Sequence, residues 1–152
     1  MNARAEIEIR PFVATDQPAA RQLILSGLGE HFGHVDVALN PDTDDIAASY
    51  VEQGHLFLVA RNGDALVGTG ALVIQDALVG QIVRVSVDPT HRRHGIGRAL
   101  VMRLLDAARE RGVTRVWMET NDDWHAAIAL YRSCGFRPYR WADDNVYMAV
   151  EV

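Results

Sequence analysis

The stretch Val85-Ser86-Val87-Asp88-Pro89-Thr90-His91-Arg92-Arg93-His94-Gly95-Ile96-Gly97-Arg98-Ala99-Leu100 decides how this chain reads. It opens as the end of an apolar strand, which Pro89 stops. A loop rich in arginine and glycine follows. Ile96, Leu100, Leu104 and Ala108 then recur on one stripe of an amphipathic helix, and Gly112 closes it. Such a passage is an anion cradle. The first amides of a helix lack intrahelical partners, and the helix dipole adds roughly half a positive charge at that end. Gly95 and Gly97 carry no Cβ, so an anion can approach the backbone. Arg92, Arg93 and Arg98 supply charge-assisted hydrogen bonds. The cluster suits a diphosphate. The alternative, two incidental glycines among surface arginines, leaves the strand before and the helix after unexplained.

Upstream, Glu6 to Arg10 alternates and stops at Pro11, the pattern of a short strand. Asp16 stands where it would cap a helix over about 17–30, with Pro18 in the first turn and Ala20, Leu23, Ile24 and Leu28 at helical spacing. Residues 31–42 read as a loop, and Thr43 or Asp44 starts a second helix running through Gln53. Leu56–Ala60 is a buried strand, Asn62-Gly63 a hairpin turn, Ala65–Val73 the returning strand and Gln81–Val87 the next. Downstream come a strand, Arg115–Thr120, a helix, Trp124–Ser133, ended at Gly135, and a hairpin of Phe136–Trp141 with Asn145–Val150. The order β-α-α-β-β-β-α-β-α-β-β predicts one α/β domain over residues 1–152. Its sheet is mixed, mostly antiparallel, of six to seven strands, with helices on both faces.

The chain has 152 residues, 49% hydrophobic and 23% charged, which is ordinary for a soluble globular protein. No apolar run reaches the ~18 residues of a membrane span, and the first residues lack the apolar core of a secretory signal. The single cysteine, Cys134, excludes an internal disulfide and a multi-cysteine metal cluster, and reads as a small buried hydrophobe. A cytoplasmic location is expected. All 15 basic residues are arginine; residues 1–80 carry a net charge of −7 and residues 81–152 carry +2. A net-negative chain without a continuous basic stripe argues against nucleic-acid binding. His31-x-x-His34-x-Asp36 has a spacing that can hold a metal, but it lacks a third strong ligand and Gly33 marks a loop, so no metal is expected.

A Walker A loop needs lysine before its serine or threonine, and this chain has no lysine. A dinucleotide fingerprint needs a third glycine at position 100, where Leu stands. Arg92-Arg93-His94-Gly95-Ile96-Gly97 instead resembles the R/Q-x-x-G-x-G/A signature of the GNAT superfamily of N-acetyltransferases. A second segment, Asn121 followed by Ala126-Ala127-Ile128-Ala129-Leu130-Tyr131-Arg132-Ser133-Cys134-Gly135-Phe136, is similar to that family's Asn…A…LY…GF segment. Each motif alone is moderately specific, and the two in order are strong. The resemblance spans residues 6–150, with its specific motifs in the C-terminal half.

The resemblance implies acetyl-coenzyme A as cosubstrate and a primary amine as acceptor. It implies a sheet splayed between the fourth and fifth strands. Amides of residues 93–98, His94 and Ile96 included, would hold the pyrophosphate. The pantetheine arm would lie along Val85–Val87 as an added strand does, with Asn121 in contact. A backbone N–H near Val87 would stabilise the oxyanion, and Tyr131 would give a proton to the departing thiolate. Many relatives place a Glu where Gln81 stands, and Gln accepts no proton. The base is therefore open among Glu119, His125, His34, Asp36 and a water chain. Glu30, His31, His34, Asp36, Asp42, Asp44 and Asp45 would rim the acceptor cleft and attract a cationic amine. The hairpin Trp141–Val150 offers an edge to a second copy. The rival reading is a non-catalytic coenzyme A-binding regulatory or interaction module.

Overall fold

The computed structural model describes residues 7–33 and 39–152. Seven strands make one sheet: β1 (Ile7–Pro11), β2 (Leu56–Asn62), β3 (Ala65–Ile74), β4 (Val79–Val87), β5 (Arg115–Asn121), β6 (Arg137–Ala142) and β7 (Asn145–Glu151). Their spatial order is β1-β2-β3-β4-β5-β7-β6, and only the β4–β5 pair is parallel. Three helices accompany it: α1 (Gln17–Phe32), α2 (Ile96–Glu110) and α3 (His125–Ser133). The expected class, a mixed and mostly antiparallel sheet with helices on both faces, holds.

The central strands β2 and β3 are largely apolar because both faces are covered. On one face Phe57 and Val59 pack with Phe12, Ile24 of α1, Ile46 and Tyr50. On the other, Leu58 and Ala60 meet Leu100 and Leu104 of α2, together with Tyr131 and Phe136. Leu100 and Leu104 are fully buried, each stabilising the fold by about 2 kcal/mol. A Cβ on Gly68 of β3 would come within 2.9 Å of the Leu100 side chain, so α2 lies directly on the strand backbone there.

Several boundaries moved. Helix α1 runs two residues past its expected end, to a left-handed Gly33 with φ of 81°. Residues 41–51 do not form the expected second helix. They form a 3₁₀ turn, Pro41–Asp44, and a wide π turn, Ala47–Val51, both bent to seat Thr43, Ile46 and Tyr50 in the core. Gln17 pins this segment, donating to the carbonyls of Thr43 and Asp44 and accepting from the Ile46 amide. The β2–β3 hairpin is one residue out of the expected phase: Asn62 still pairs with Ala65, so Gly63-Asp64 make the turn, and Gly63 takes the positive φ. At the last hairpin Asp143 and Asp144 both adopt positive φ, the conformation a two-residue turn requires. Glu6 lies outside the described residues.

Asp16 does not cap α1 with its side chain. Its buried carboxylate turns back to Arg10, which donates twice at 2.8 and 3.0 Å, to the Val13 amide at 2.9 Å and to Arg61 at 3.1 Å. Burial alone would push its pKa up, but hydrogen bonds from Arg10 and Val13 and the charge of Arg61 outweigh this and hold it below the usual range. A depressed carboxylate stabilises the fold above its unfolded pKa of about 4 and loses that contribution as pH falls through the folded value. Asp16→Asn should cost about 2 kcal/mol at pH 7, and the gap to wild type should narrow as pH falls from 5 to 3, read from urea unfolding at each pH.

Candidate active site

Strands β4 and β5 pair at only three positions, Val79 with Arg115, Gly80 with Val116 and Gln81 with Trp117. Both strands then continue without each other. The cause lies on β4, where Arg84 takes a positive φ of 57° and shifts the register against β3 between Thr69 and Ala71. A bulge of this kind bends its strand. The buried Thr69 hydroxyl fixes it by donating to the Arg84 carbonyl at 2.8 Å. Beyond the bulge, the Asp88 amide donates to the Val67 carbonyl. Antiparallel alternation then turns the N–H and C=O of Val87 the other way, into the gap toward β5. Val85, two residues back, faces the same way.

A cleft of about 1050 Å³ follows this gap. At one end lies the loop after β4. Asp88 organises it, accepting from the Thr90 amide and hydroxyl, with His91 Nδ1 at 2.9 Å, and these hydrogen bonds hold its pKa down. Arg93 and Gly95 both adopt positive φ, 66° and 80°, so the chain curls into the start of α2. Arg92, Arg93, Gly95, Ile96, Gly97 and Arg98 all line the cleft; His94 does not. Gly97 serves packing: a Cβ there would lie 3.3 Å from Leu130 of α3 and 3.5 Å from Val87. Arg92 is not a loose cation. It donates to the Val87 carbonyl at 3.2 Å and grips Glu30 of α1 with both terminal nitrogens, and this hydrogen bonding lowers the pKa of Glu30.

Tyr131 enters the same cleft from α3. Its ring packs edge-on against Phe136 at 5.3 Å and is buried. Its hydroxyl has no hydrogen-bond partner among the described residues, yet no buried side-chain atom among them is left unpaired, so the hydroxyl opens to the cleft. Burial, then the neighbouring Cys134, pushes its pKa above the usual tyrosine range. Cys134 is itself buried, its thiol pushed up by burial, which keeps it a protonated core residue.

The acceptor side holds surprises. Glu119 of β5 lines the cleft, and its charge raises the pKa of Tyr147 on the neighbouring β7. His125 is exposed at the start of α3 and is not a lining residue. His34 and Asp36 lie outside the described residues. Asn121 ends β5 and donates its amide to Asn145 Oδ1 at 3.0 Å; it is not among the residues that line the cleft. The acidic rim is largely neutralised. Asp42 pairs with Arg84, Asp44 with Arg21 and Glu30 with Arg92, while Asp45 accepts from the Ala48 amide. Sequence reading missed Arg84, Tyr50 and Trp124. Arg84 did leave a signal, a charge inside the apolar run Gln81–Val87. Trp124 stacks on His31 at 4.0 Å, so α1 and α3 touch across the mouth of the cleft.

The model of the acetyltransferase (GNAT) family matches residues 18–136. The chain belongs to this family. Human N-acetyltransferase 8B is 39% identical over 110 residues, covering 68% of this chain and 48% of the relative. The chain spans about half the length of the curated relatives it matches. Among solved structures, a GNAT acetyltransferase from Staphylococcus aureus Mu50 superimposes with a TM-score of 0.87 at 24% identity, covering 95% of this chain and 98% of the other. PaiA N-acetyltransferase from Thermoplasma acidophilum, in complex with coenzyme A, does so with 0.84 at 15% identity, covering 96% and 99%. Both share the GNAT fold. No helix among the described residues is long and apolar enough to cross a membrane.

Gly95→Ala places a Cβ on a left-handed residue and should cost about 1–2 kcal/mol. Gly97→Ala should cost less, because the Leu130 side chain can give by a few tenths of an ångström. Thermal and urea unfolding of the two variants tests this order.

Proposed function

We propose that this chain transfers an acetyl group from acetyl-coenzyme A to a primary amine by direct attack in a ternary complex. The observation that carries the reading is the meeting, in one cleft, of a β4 edge left unpaired on its β5 side, a curled arginine-bearing loop at its end and an open tyrosine hydroxyl. The donor set fits a long thioester cofactor with linked phosphates. The amides of residues 93–98 and the side chains of Arg92, Arg93 and Arg98 would take the diphosphate. The outward N–H groups of Val85 and Val87 and the C=O of Val85 would take the amide-bearing arm. When bound, the cofactor supplies an acyl carbon activated by sulfur. PaiA, of the same fold, carries coenzyme A.

The remaining work falls to the chain. The Val87 N–H faces the gap and can donate to the carbonyl oxygen as charge develops on it. The amine nitrogen bonds to the acyl carbon and the carbon–sulfur bond breaks. The departing sulfur takes its proton from Tyr131, which burial keeps protonated until needed. The amine's proton passes to Glu119, directly or through water; Gln81 cannot receive it. Of the four side chains read as candidate bases, Glu119 lines the cleft, His125 does not, and His34 and Asp36 lie outside the described residues. No acyl-enzyme is needed, since Cys134 is buried and protonated. The second reading, a coenzyme A-binding module without turnover, draws on Gln81 standing where a carboxylate is frequent.

Calorimetry should show heat with acetyl-coenzyme A and coenzyme A, and an amine panel should release free thiol; no heat with either cofactor overturns the reading, and heat without thiol favours the module. Tyr131→Phe should lower kcat about a hundredfold with coenzyme A affinity unchanged within about twofold. Because Tyr131 stays protonated above pH 10, the wild-type rate should rise with pH as the amine deprotonates and show no downturn before about pH 10.

A further inference from the structure

Two side chains of β4 that line the cleft present hydrogen-bond donors without a partner among the described residues. Arg84 is gripped along one edge only. Its Nε donates to Asp42 Oδ2 at 2.9 Å, and its Nη2 to Asp42 Oδ1 at 2.6 Å and to Asn40 at 3.1 Å. Asp42 is held in turn by the Tyr50 hydroxyl at 2.6 Å. Arg84 Nη1 has no hydrogen bond among the described residues, and since none of their buried side-chain nitrogens lacks a partner, it opens to the cleft that Arg84 lines. The guanidinium is therefore rigid and locally neutralised, with one end offered outward.

Gln81 is oriented by a chain of amides. The Trp117 indole N–H can only donate, and it donates to Gln75 Oε1 at 2.7 Å. That leaves Gln75 Nε2 to donate to Gln81 Oε1 at 3.2 Å. The polarity of the chain is thus fixed at its indole end, and Gln81 presents its Nε2 donor. Gln81 and Arg84 line the same cleft as Glu119. Two donors and a carboxylate lining one cleft complement a molecule with an anionic oxygen group and an ammonium.

Resting on the acetyl-transfer reading of this cleft, we infer that Arg84 Nη1 and Gln81 Nε2 form a carboxylate subsite, and that the acceptor is an amino acid with a free carboxylate. An acceptor lacking that group leaves both donors unpaired once the cleft is filled, and a site built to hydrogen-bond a substrate group discriminates against analogues without it.

The test compares the common amino acids with their amides and decarboxylated amines, by thiol release and by calorimetric titration into the coenzyme A-loaded protein. Acids should exceed their amides and amines in kcat/KM by about tenfold to a hundredfold. Arg84→Lys and Gln81→Leu should each shrink that ratio, mainly through KM, with coenzyme A affinity unchanged. Gln81→Leu leaves the β4 bulge intact, so it reads the subsite even if Arg84→Lys disturbs the strand. Amides or simple amines used as well as acids would overturn the inference, as would an unchanged ratio in Gln81→Leu. Arg84-dependent binding of amino acids without thiol release would uphold the subsite and defeat acetyl transfer. Absence of both binding and turnover would overturn the subsite.

Discussion

The parting of β4 from β5 is the constraint on which the rest of this molecule depends. Parallel neighbours in a sheet satisfy each other's backbone groups, and an unpaired strand edge left inside a protein is costly unless water or a ligand meets it. Here three pairs form and then the strands separate. What keeps them apart is a chain of supports beginning far from the cleft. Gln17 pins the segment 41–46 to α1, Asp42 on that segment grips Arg84, and Thr69 holds the Arg84 carbonyl. A non-glycine residue at positive φ is strained, and these contacts hold Arg84 in that conformation. Each support has a partner on a different element, so the cleft is a property of the whole sheet and its coverings.

Electrostatics follow the same logic. Read along the chain, the first 80 residues are acidic and the remainder slightly basic. Folding interleaves the two halves across the cleft. Glu30 meets Arg92 and Asp42 meets Arg84, each pair joining an early carboxylate to a late arginine. Asp44 meets Arg21 beside them. The acceptor side is consequently a set of oriented pairs and not a bare acidic field. Oriented pairs select by hydrogen-bond geometry, whereas an uncompensated field selects only by sign.

Glycine shows how one residue type can serve two ends within one motif. Gly95 is required for backbone conformation, at a φ of 80°, with open space where a Cβ would stand. Gly97, two residues later, is required for contact, because Leu130 and Val87 occupy that space. The sequence pattern records both as equivalent. The distinction matters because the first shapes the loop toward a ligand and the second seats α2 against α3 and β4.

The amino-acid sequence by itself determined the elements, their order and the class of sheet, because hydrophobic periodicity, proline stops and helix-ending glycines are local signals. It also located the arginine- and glycine-bearing loop and Tyr131, which line one cleft, because both lie in contiguous motifs. Local signals failed where long-range contacts set the conformation. Residues 43–53 carry helical spacing, yet the need to bury Ile46 and Tyr50 against β2 and α1 bends them into two turns. Asp16 looks like a helix cap, yet Arg10 and Arg61 draw its carboxylate away. Arg84 became part of the site only when Asp42, 42 residues earlier in the chain, folded against it. Local sequence fixes what each segment can be; which polar groups remain free for a ligand is decided only after distant segments have taken their partners.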